Sequence, residues 1–250
     1  MRIAILSDVH SNLAALRAVL RHAEADATID GVWCLGDIVG YGAEPSETIA
    51  ELRARPLTAV SGNHDLAAIG AIDTDEFNPV AEEAALWTAD QLSDDERAFL
   101  GALPPTLVVG DPHGPKGFTL VHGSLRAPAW EYLLDAEAAD AHFALQTTPY
   151  GLIGHSHLQF WVEERDGDAP TFHRAADGTR LRLGDRRLII NPGSAGQPRD
   201  GDPRVGYVLY DEAAATVTWH RVAYDIAVTQ KKILAAGLPD FLAERLAAGR

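Results

Sequence analysis

The sequence has little that would suit an extracellular or membrane-spanning protein. Cys34 is its single cysteine, so no disulfide can form within the chain, which fits a reducing compartment. No apolar run approaches the roughly 18 residues that a membrane-spanning helix needs. The apolar run at residues 3–6 is too short for a secretory signal. We therefore expect a cytoplasmic protein with no membrane partner.

Positive charge is also scarce, because 36 acidic residues outnumber 21 Lys and Arg residues and give a formal net charge of −15. Such a surface repels phosphate backbones, so we expect no broad binding to nucleic acid. A local cationic site could still hold one phosphate, and its charge need not come from Lys or Arg.

The length and composition are those of a globular protein, with 250 residues of which 46% are apolar and 23% charged. The segment 66–105 is richer in helix formers than its surroundings, but no linker separates it. We predict one domain over residues 1–250, with a helical insertion at 66–105.

Short apolar segments alternate with helical patterns in the first part of the chain. Residues 3–6, 32–35 and 57–60 have the composition of buried strands, and apolar residues at helical spacing run from Leu13 to Ala23. This alternation of strand, loop and helix predicts parallel β-α-β units.

The chain then passes through predicted helices and returns to strands. Capping patterns at Asn78 and Ser93 predict two helix starts, and further helices are predicted at 130–146 and 225–250. We predict strands at residues 106–109, 118–121, 151–153, 160–163, 188–190, 205–210 and 216–222. So many strands would overfill one open sheet, so we predict an α/β fold that is a four-layer α-β-β-α sandwich of two packed mixed sheets.

Five predicted strands end in abruptly polar residues that offer carboxylate, amide or imidazole groups. These residues are Asp8 and His10, Asp37, Asn63 with His64 and Asp65, His122, and His155 with His157. Because strand ends in α/β sheets gather at one edge, we expect these side chains to form one site. Each motif alone is compatible with a polar turn or a structural histidine, so the prediction depends on all five following their strands in order.

The residue types in this set indicate the kind of metal. Carboxylates, an amide and imidazoles without a thiolate suit Mn, Fe, Zn, Ni or Co better than calcium or a structural zinc site. The donors are too many for one tetrahedral ion and suit two ions that share a carboxylate. We therefore predict two divalent or trivalent metal ions as the cofactor.

The motifs SDVH, GDIVG, GNHD, VHGS and GHSH, together with NPGS at residues 191–194, resemble in order those of the calcineurin-like metallophosphoesterases. The branch that they resemble most is the small bacterial one of YfcE-like phosphodiesterases. The resemblance implies a first ion held by Asp8, His10 and His157. It implies a second ion held by Asn63, His122 and His155, with Asp37 as the bridge between the two ions.

The same resemblance implies which residues take part in the reaction. A hydroxide shared by the two ions would attack phosphorus in line, and His64 would protonate the leaving oxygen as the general acid. Asp65 would orient His64. Asn63 and His64 would also contact the substrate.

One motif differs from that of the protein serine/threonine phosphatases in the same superfamily. Their GDxVDRG-like loop carries an Arg that binds a phosphate monoester, whereas GDIVGYG has Tyr41 at that place. The difference disfavours a protein phosphatase. We predict Arg126, after VHGS, and Arg199, after NPGS, as phosphate contacts, although both are also compatible with ordinary surface positions.

The predicted function is hydrolysis of a small phosphoester, with a phosphodiester as the leading substrate. A phosphomonoesterase, a dinucleoside polyphosphate hydrolase and a non-catalytic interaction scaffold of the same fold remain open as alternatives. Specificity is expected from the helical insertion and nearby aromatic residues, namely Phe77, Trp87, Trp130 and Tyr132. The sequence also leaves open a homo-oligomer.

Overall fold

The computed structural model describes residues 1–114 and 116–250. The strands are β1 (Arg2–Leu6), β2 (Gly31–Cys34), β3 (Leu57–Ala59), β4 (Thr106–Val109), β5 (Phe118–Val121), β6 (Tyr150–Leu152), β7 (Gln159–Glu163), β8 (Thr171–Arg174), β9 (Arg180–Arg182), β10 (Leu188–Pro192), β11 (Val205–Asp211) and β12 (Thr216–Val222). The helices are α1 (Leu13–Ala23), α2 (Pro45–Arg53), α3 (Asn63–Ala68), α4 (Pro79–Gln91), α5 (Asp94–Gly101), α6 (Ala136–Leu145), α7 (Ile226–Ala235) and α8 (Asp240–Ala248). None of these helices is long and apolar enough to cross a membrane.

The strands form two six-stranded mixed sheets. The first sheet has the order β3-β2-β1-β11-β12-β9, and the second has the order β4-β5-β6-β10-β7-β8. Strands β1, β2 and β3 are parallel in the first sheet, as are β5, β6 and β10 in the second, and the remaining neighbours are antiparallel. Each sheet therefore has a parallel half, and only those halves place successive strand ends at one edge.

Alternation along the strands gives the first sheet two apolar faces. In β1, Ile3 and Ile5 belong to the core between the sheets, whereas Ala4 and Leu6 face the layer of α1 and α2. The second sheet packs its outer face against α6. The layers thus run helix, sheet, sheet, helix, which confirms the predicted four-layer sandwich.

Several predicted elements differ from those observed. The short strands β8 and β9 were missed because their sequences, TFHR and RLR, are mostly polar and lie at sheet edges. The segment 225–250 forms two helices rather than one, because Gly237, at φ 72°, and Pro239 interrupt it. The predicted helix 130–146 begins only at Ala136, where the Asp135 side chain accepts a hydrogen bond from the backbone N–H of Ala138.

The GNHD motif is part of a helix rather than a turn. Gly62 is the N-cap of α3, so the Asn63, His64 and Asp65 side chains belong to its first turn. Between β3 and β4 the chain also forms α4 and α5, which lie within the segment 66–105.

Candidate metal centre and active site

The strand ends that carry the predicted ligands meet at one edge of the two packed sheets. All seven predicted metal ligands are buried, with at most 5% of each residue exposed. They come from the loops after β1, β2, β5 and β6 and from the first turn of α3. The structure thus brings together the predicted ligands Asp8, His10, Asp37, Asn63, His122, His155 and His157.

One group of predicted ligands consists of Asp8, His10 and His157. Oδ1 of Asp8 lies 3.1 Å from Nε2 of His157 and 3.8 Å from Nε2 of His10. The two imidazole Nε2 atoms are 3.3 Å apart. Oδ2 of Asp8 accepts a hydrogen bond from the backbone N–H of His155 at 3.1 Å, which leaves Oδ1 directed at the two rings.

A second group consists of Asp37, His122 and His155. Nε2 of His122 lies 3.1 Å from Nδ1 of His155 and 3.3 Å from Oδ2 of Asp37. Asn63 lines a cavity beside this group, and its buried Oδ1 has no hydrogen-bond partner among the described residues. An unpartnered buried amide oxygen is costly unless something binds it, and a metal ion is a suitable partner.

Asp37 lies between the two groups. Its Oδ2 is 3.3 Å from Nε2 of His122 and 3.7 Å from Nε2 of His10. Its Oδ1 accepts a hydrogen bond from the backbone N–H of His64 at 2.9 Å. One carboxylate oxygen is therefore fixed by main chain while the other faces both groups.

Backbone carbonyls determine which nitrogen of each histidine faces the centre. The rings of His10, His122 and His157 donate from Nδ1 to the carbonyls of Val39, Leu35 and Gln197, respectively. The His155 ring instead donates from Nε2 to the carbonyl of Trp130. In the neutral ring, each facing nitrogen then carries a lone pair, the form that binds a metal. Two nitrogens on one ion at 2.0–2.1 Å lie about 2.9 Å apart at a right angle and about 3.3 Å apart in a tetrahedron. The observed pairs at 3.1 Å and 3.3 Å fit that geometry.

The backbone at the centre is strained. Five ligands have positive φ, namely Asp8 at 54°, His10 at 50°, Asp37 at 54°, His155 at 62° and His157 at 60°. A left-handed conformation costs a non-glycine residue about 1–2 kcal/mol. Strain of this kind persists where the surroundings impose it, and it is concentrated at functional sites.

Close backbone approach explains one glycine of the motifs. A Cβ atom on Gly62 would lie 2.1 Å from Oδ1 of Asp37, so any larger residue would displace that carboxylate. The GNHD motif therefore needs its glycine in order to pack against the GDIVG loop.

Burial and neighbouring charges set the protonation of the ligands. Burial opposes ionisation of Asp8 and Asp37, but the facing imidazoles outweigh it and hold the pKa of both carboxyls below the usual range. Burial lowers the pKa of His155 to about 3. Burial also acts to lower the pKa of His122, but Asp37 outweighs it and raises that pKa to about 9. A metal cation at this place would take the position of that proton, because metal binding and protonation compete.

His64 lines the cavity beside the predicted ligands, and its ring centroid lies 4.9 Å from that of His10. Its ring stacks on Phe77 at a centroid distance of 4.8 Å, and its Nδ1 has no partner among the described residues. Burial lowers its pKa to about 4; Asp37 opposes this shift and Arg199 adds to it.

Asp65 is placed differently from the prediction that it orients His64. Its carboxylate accepts hydrogen bonds from the backbone N–H groups of Val39 and Gly62, and in the described part of the chain it has none with the His64 ring. Asp65 therefore joins the loops around the site and acts on His64 only through the backbone.

The cavity beside the ligands has a volume of about 560 Å³. It is lined by Asp37, Tyr41, Asn63, His64, Glu76, Phe77, Asn78, Ala81, Trp130, Tyr132, His155, His157 and Arg199. Three of the four aromatic residues predicted for specificity are among them. The fourth, Trp87, packs in the cluster formed around α4, α7 and α8.

The two predicted phosphate contacts have different positions. Arg199 lines the cavity. Arg126 forms ion pairs with Glu131 and Glu137 outside it, and 44% of its side chain is exposed. Arg126 therefore stabilises its own loop, and of the two arginines it is Arg199 that is placed to contact a phosphate in the cavity. Tyr41 also lines the cavity and was not predicted to do so, although it follows Asp37 closely in the GDIVGYG loop.

Buried carboxylates and imidazoles at the common edge of two mixed sheets are typical of a metal-dependent hydrolase. The sequence profile described as the calcineurin-like phosphoesterase superfamily domain matches residues 1–214, and the chain belongs to this superfamily. The prediction of a metal-dependent phosphoesterase is confirmed at this level.

Three comparisons with individual proteins show how far the similarity extends. The crystal structure of a metallophosphoesterase from Sphaerobacter thermophilus is 45% identical, with a TM-score of 0.88, over 100% of this chain and 99% of that one. An uncharacterized protein of Methanocaldococcus jannaschii is 37% identical over 99% of this chain and 98% of its own length. A symmetrical bis(5'-nucleosyl)-tetraphosphatase of Pseudomonas putida is 30% identical over 131 residues, which are 50% of this chain and 42% of that protein.

Proposed function

We propose that this protein hydrolyses a small phosphodiester at a centre of two metal ions. The observation that carries the proposal is the position of Asp37, whose Oδ2 lies within 3.7 Å of imidazoles from two separate ligand groups. A cavity large enough for a small organic phosphate opens beside it.

The proposed ligands follow the two groups. Asp8, His10 and His157 would hold one ion, Asn63, His122 and His155 the other, and Asp37 both. Such ions would supply positive charge for the phosphate oxygens and acidify a water for in-line attack. We propose manganese, iron, zinc, nickel or cobalt, because the donor set lacks thiolates and mixes oxygen with imidazole nitrogen.

The chain's own residues would orient the ester and complete the proton transfer. His64 would donate a proton or hydrogen bond to the leaving oxygen, because it lines the cavity and its ring Nδ1 has no hydrogen-bond partner among the described residues. Stacking on Phe77 holds the ring in place. Asn63 and Arg199 would contact the phosphate oxygens from the floor and the wall of the cavity.

A dinucleoside polyphosphate hydrolase is the second candidate function. The partial match to a bis(5'-nucleosyl)-tetraphosphatase favours it, as do the aromatic residues Phe77, Trp130 and Tyr132 in the cavity wall, since bases stack on such rings. The cavity beside a complete ligand set supports an enzyme over a non-catalytic scaffold.

Steady-state rates on three substrates test the proposal. Metal-free protein would be reconstituted with each of the five metals and assayed on bis(4-nitrophenyl) phosphate, 4-nitrophenyl phosphate and diadenosine tetraphosphate. We expect the highest kcat/KM on the diester. A higher value on diadenosine tetraphosphate would favour the second candidate, and no hydrolysis of any substrate with any metal would contradict both.

We propose a single catalytic domain in the cytoplasm, because one buried cysteine suits a reducing compartment.

A further inference from the structure

Two arginines from distant parts of the chain pack around Tyr41. Arg199 comes from the loop after β10, and Arg245 comes from the last turn of α8. Their guanidinium carbons lie 5.8 Å and 5.9 Å from the centroid of the Tyr41 ring. Helix α8 thus places a second cation against Tyr41, which lines the cavity together with Arg199.

Among the described residues, neither guanidinium pairs with an acidic side chain. Nη2 of Arg199 donates to Oε1 of Gln197, and its buried Nε has no partner among residues 1–114 and 116–250. Nε of Arg245 donates to the main-chain oxygen of Arg250. Within the same residues, no carboxylate side chain lies within ion-pair distance of either guanidinium, in a chain with 36 acidic residues. A partly buried guanidinium with an unpartnered Nε, as in Arg199, is unfavourable until an anion binds.

The two arginines differ in their distance from the metal ligands. Arg199 lines the cavity together with His64 and His157, so Arg199 is the inner one. The pKa of Arg245 is lowered to about 10, first by burial and then by Arg199, and Tyr41 and Tyr132 oppose this shift. In the described part of the chain, Arg245 is not among the residues that line the cavity, so Arg245 is the outer one.

We propose that Arg199 and Arg245, packed around Tyr41, form a subsite for a second phosphate group of the substrate. This inference rests on the proposed function, because the first phosphate is the ester that reacts at the metal centre. The inner arginine would contact both phosphates and the outer arginine only the second. Arginine suits this role because its planar donors pair with two phosphate oxygens at once.

The test compares two ligands that differ by one phosphate. Dissociation constants of AMP and of α,β-methylene-ADP, which resists hydrolysis between its phosphates, would be measured by calorimetry on the manganese-loaded full chain. A charged hydrogen bond contributes about 1.5–3 kcal/mol, so the wild-type protein should bind the second ligand at least about tenfold more tightly. Arg245→Gln should remove this preference and leave the affinity for AMP within about twofold.

Matched variants separate this role from general effects. Arg17→Gln changes an exposed arginine on α1 that pairs with Glu51, and it should retain the full preference. Arg245→Lys keeps the charge and should retain part of it. Should Arg245→Gln fail to fold, the wild-type preference and Arg245→Lys still decide the matter. Equal affinity of the wild-type protein for the two ligands, or an equal loss for both in the Arg245 variants, would overturn the subsite.

These measurements separate a failure of the proposed subsite from a failure of the proposed function. A protein that prefers α,β-methylene-ADP but hydrolyses none of the three test esters would keep the subsite and lose the proposed function. A protein that hydrolyses the diester but shows no preference would keep the function and lose the subsite.

Discussion

Oδ1 of Asp65 accepts a hydrogen bond at 3.1 Å from the backbone N–H of Val39, which lies 26 residues earlier in the chain. Its Oδ2 accepts a second hydrogen bond at 3.0 Å from the backbone N–H of Gly62. The buried carboxylate thereby joins the loop that carries Asp37 to the helix start that carries His64. Its contribution is to the position of two loops rather than to the reaction itself.

Asp65→Ala should therefore reduce stability. The change leaves two buried N–H groups without an acceptor, at about 1–3 kcal/mol each, so we expect the free energy of unfolding to fall by about 2–6 kcal/mol. Urea unfolding of the metal-free protein measures this, with the exposed Asp168→Asn as the control. Unchanged stability together with a lower kcat would instead indicate that Asp65 acts directly on His64.

His64→Ala should retain the metals and lose turnover. The ring lies beside the ligand groups without being among the seven proposed ligands, so elemental analysis should match the wild-type protein. General acid catalysis is typically worth a hundredfold or more, so we expect kcat to fall by about that factor. The loss should be smaller for a nitrophenolate leaving group than for an alkoxide, and an equal loss for both would exclude proton donation. His113→Ala, on an exposed loop, is the control.

Arg199→Gln and Arg126→Gln should differ in their effect on kcat/KM. Arg199 lines the cavity, whereas Arg126 is held by Glu131 outside it. Loss of a charged hydrogen bond to phosphate costs about 1.5–3 kcal/mol, so Arg199→Gln should lower kcat/KM on the diester by at least about tenfold. Arg126→Gln should remain within about twofold, and the opposite ranking would return Arg126 to the substrate site.

His142 should make stability sensitive to acid. Its buried Nδ1 accepts a hydrogen bond from the backbone N–H of Leu125, and burial lowers its pKa from 6.5 to about 4. As the pH falls, the unfolded chain takes up this proton first, so the contribution is complete above about pH 6.5 and is lost toward pH 4. The difference of about 2.5 pH units corresponds to about 3 kcal/mol.

Urea unfolding with a chelator at about pH 7.5 and pH 4.5 measures this loss. His142→Gln cannot titrate, so it should lose about 2–3 kcal/mol less than the wild-type protein over that interval. His113→Gln should follow the wild-type protein. Equal losses in His142→Gln and the wild-type protein would show that another group is responsible.

The sequence was sufficient to predict the strand ends and to place the proposed ligands after them. Asp8, Asp37 and His122 come directly after buried apolar strands, and parallel strands in adjacent positions deliver such residues to one edge. The polar edge strands β8 and β9 lacked that apolar signal, because edge positions bury little side-chain area.

Contacts between distant segments were beyond prediction from the sequence. The Trp130 carbonyl determines that His155 faces the centre with Nδ1 rather than Nε2. The packing of α8 determines that Arg245 meets Tyr41. Both depend on where a loop or helix settles in the folded chain, which local composition and spacing do not encode.

Metal content of the wild-type protein and of Asp37→Asn, each measured by elemental mass spectrometry after reconstitution with manganese, tests the binuclear centre most directly. Two ions per wild-type chain and at most one in Asp37→Asn, with Asp168→Asn like the wild-type protein, is the result that the structure predicts. Two ions in Asp37→Asn, or one ion in the wild-type protein, would contradict the assignment of Asp37 as the shared ligand.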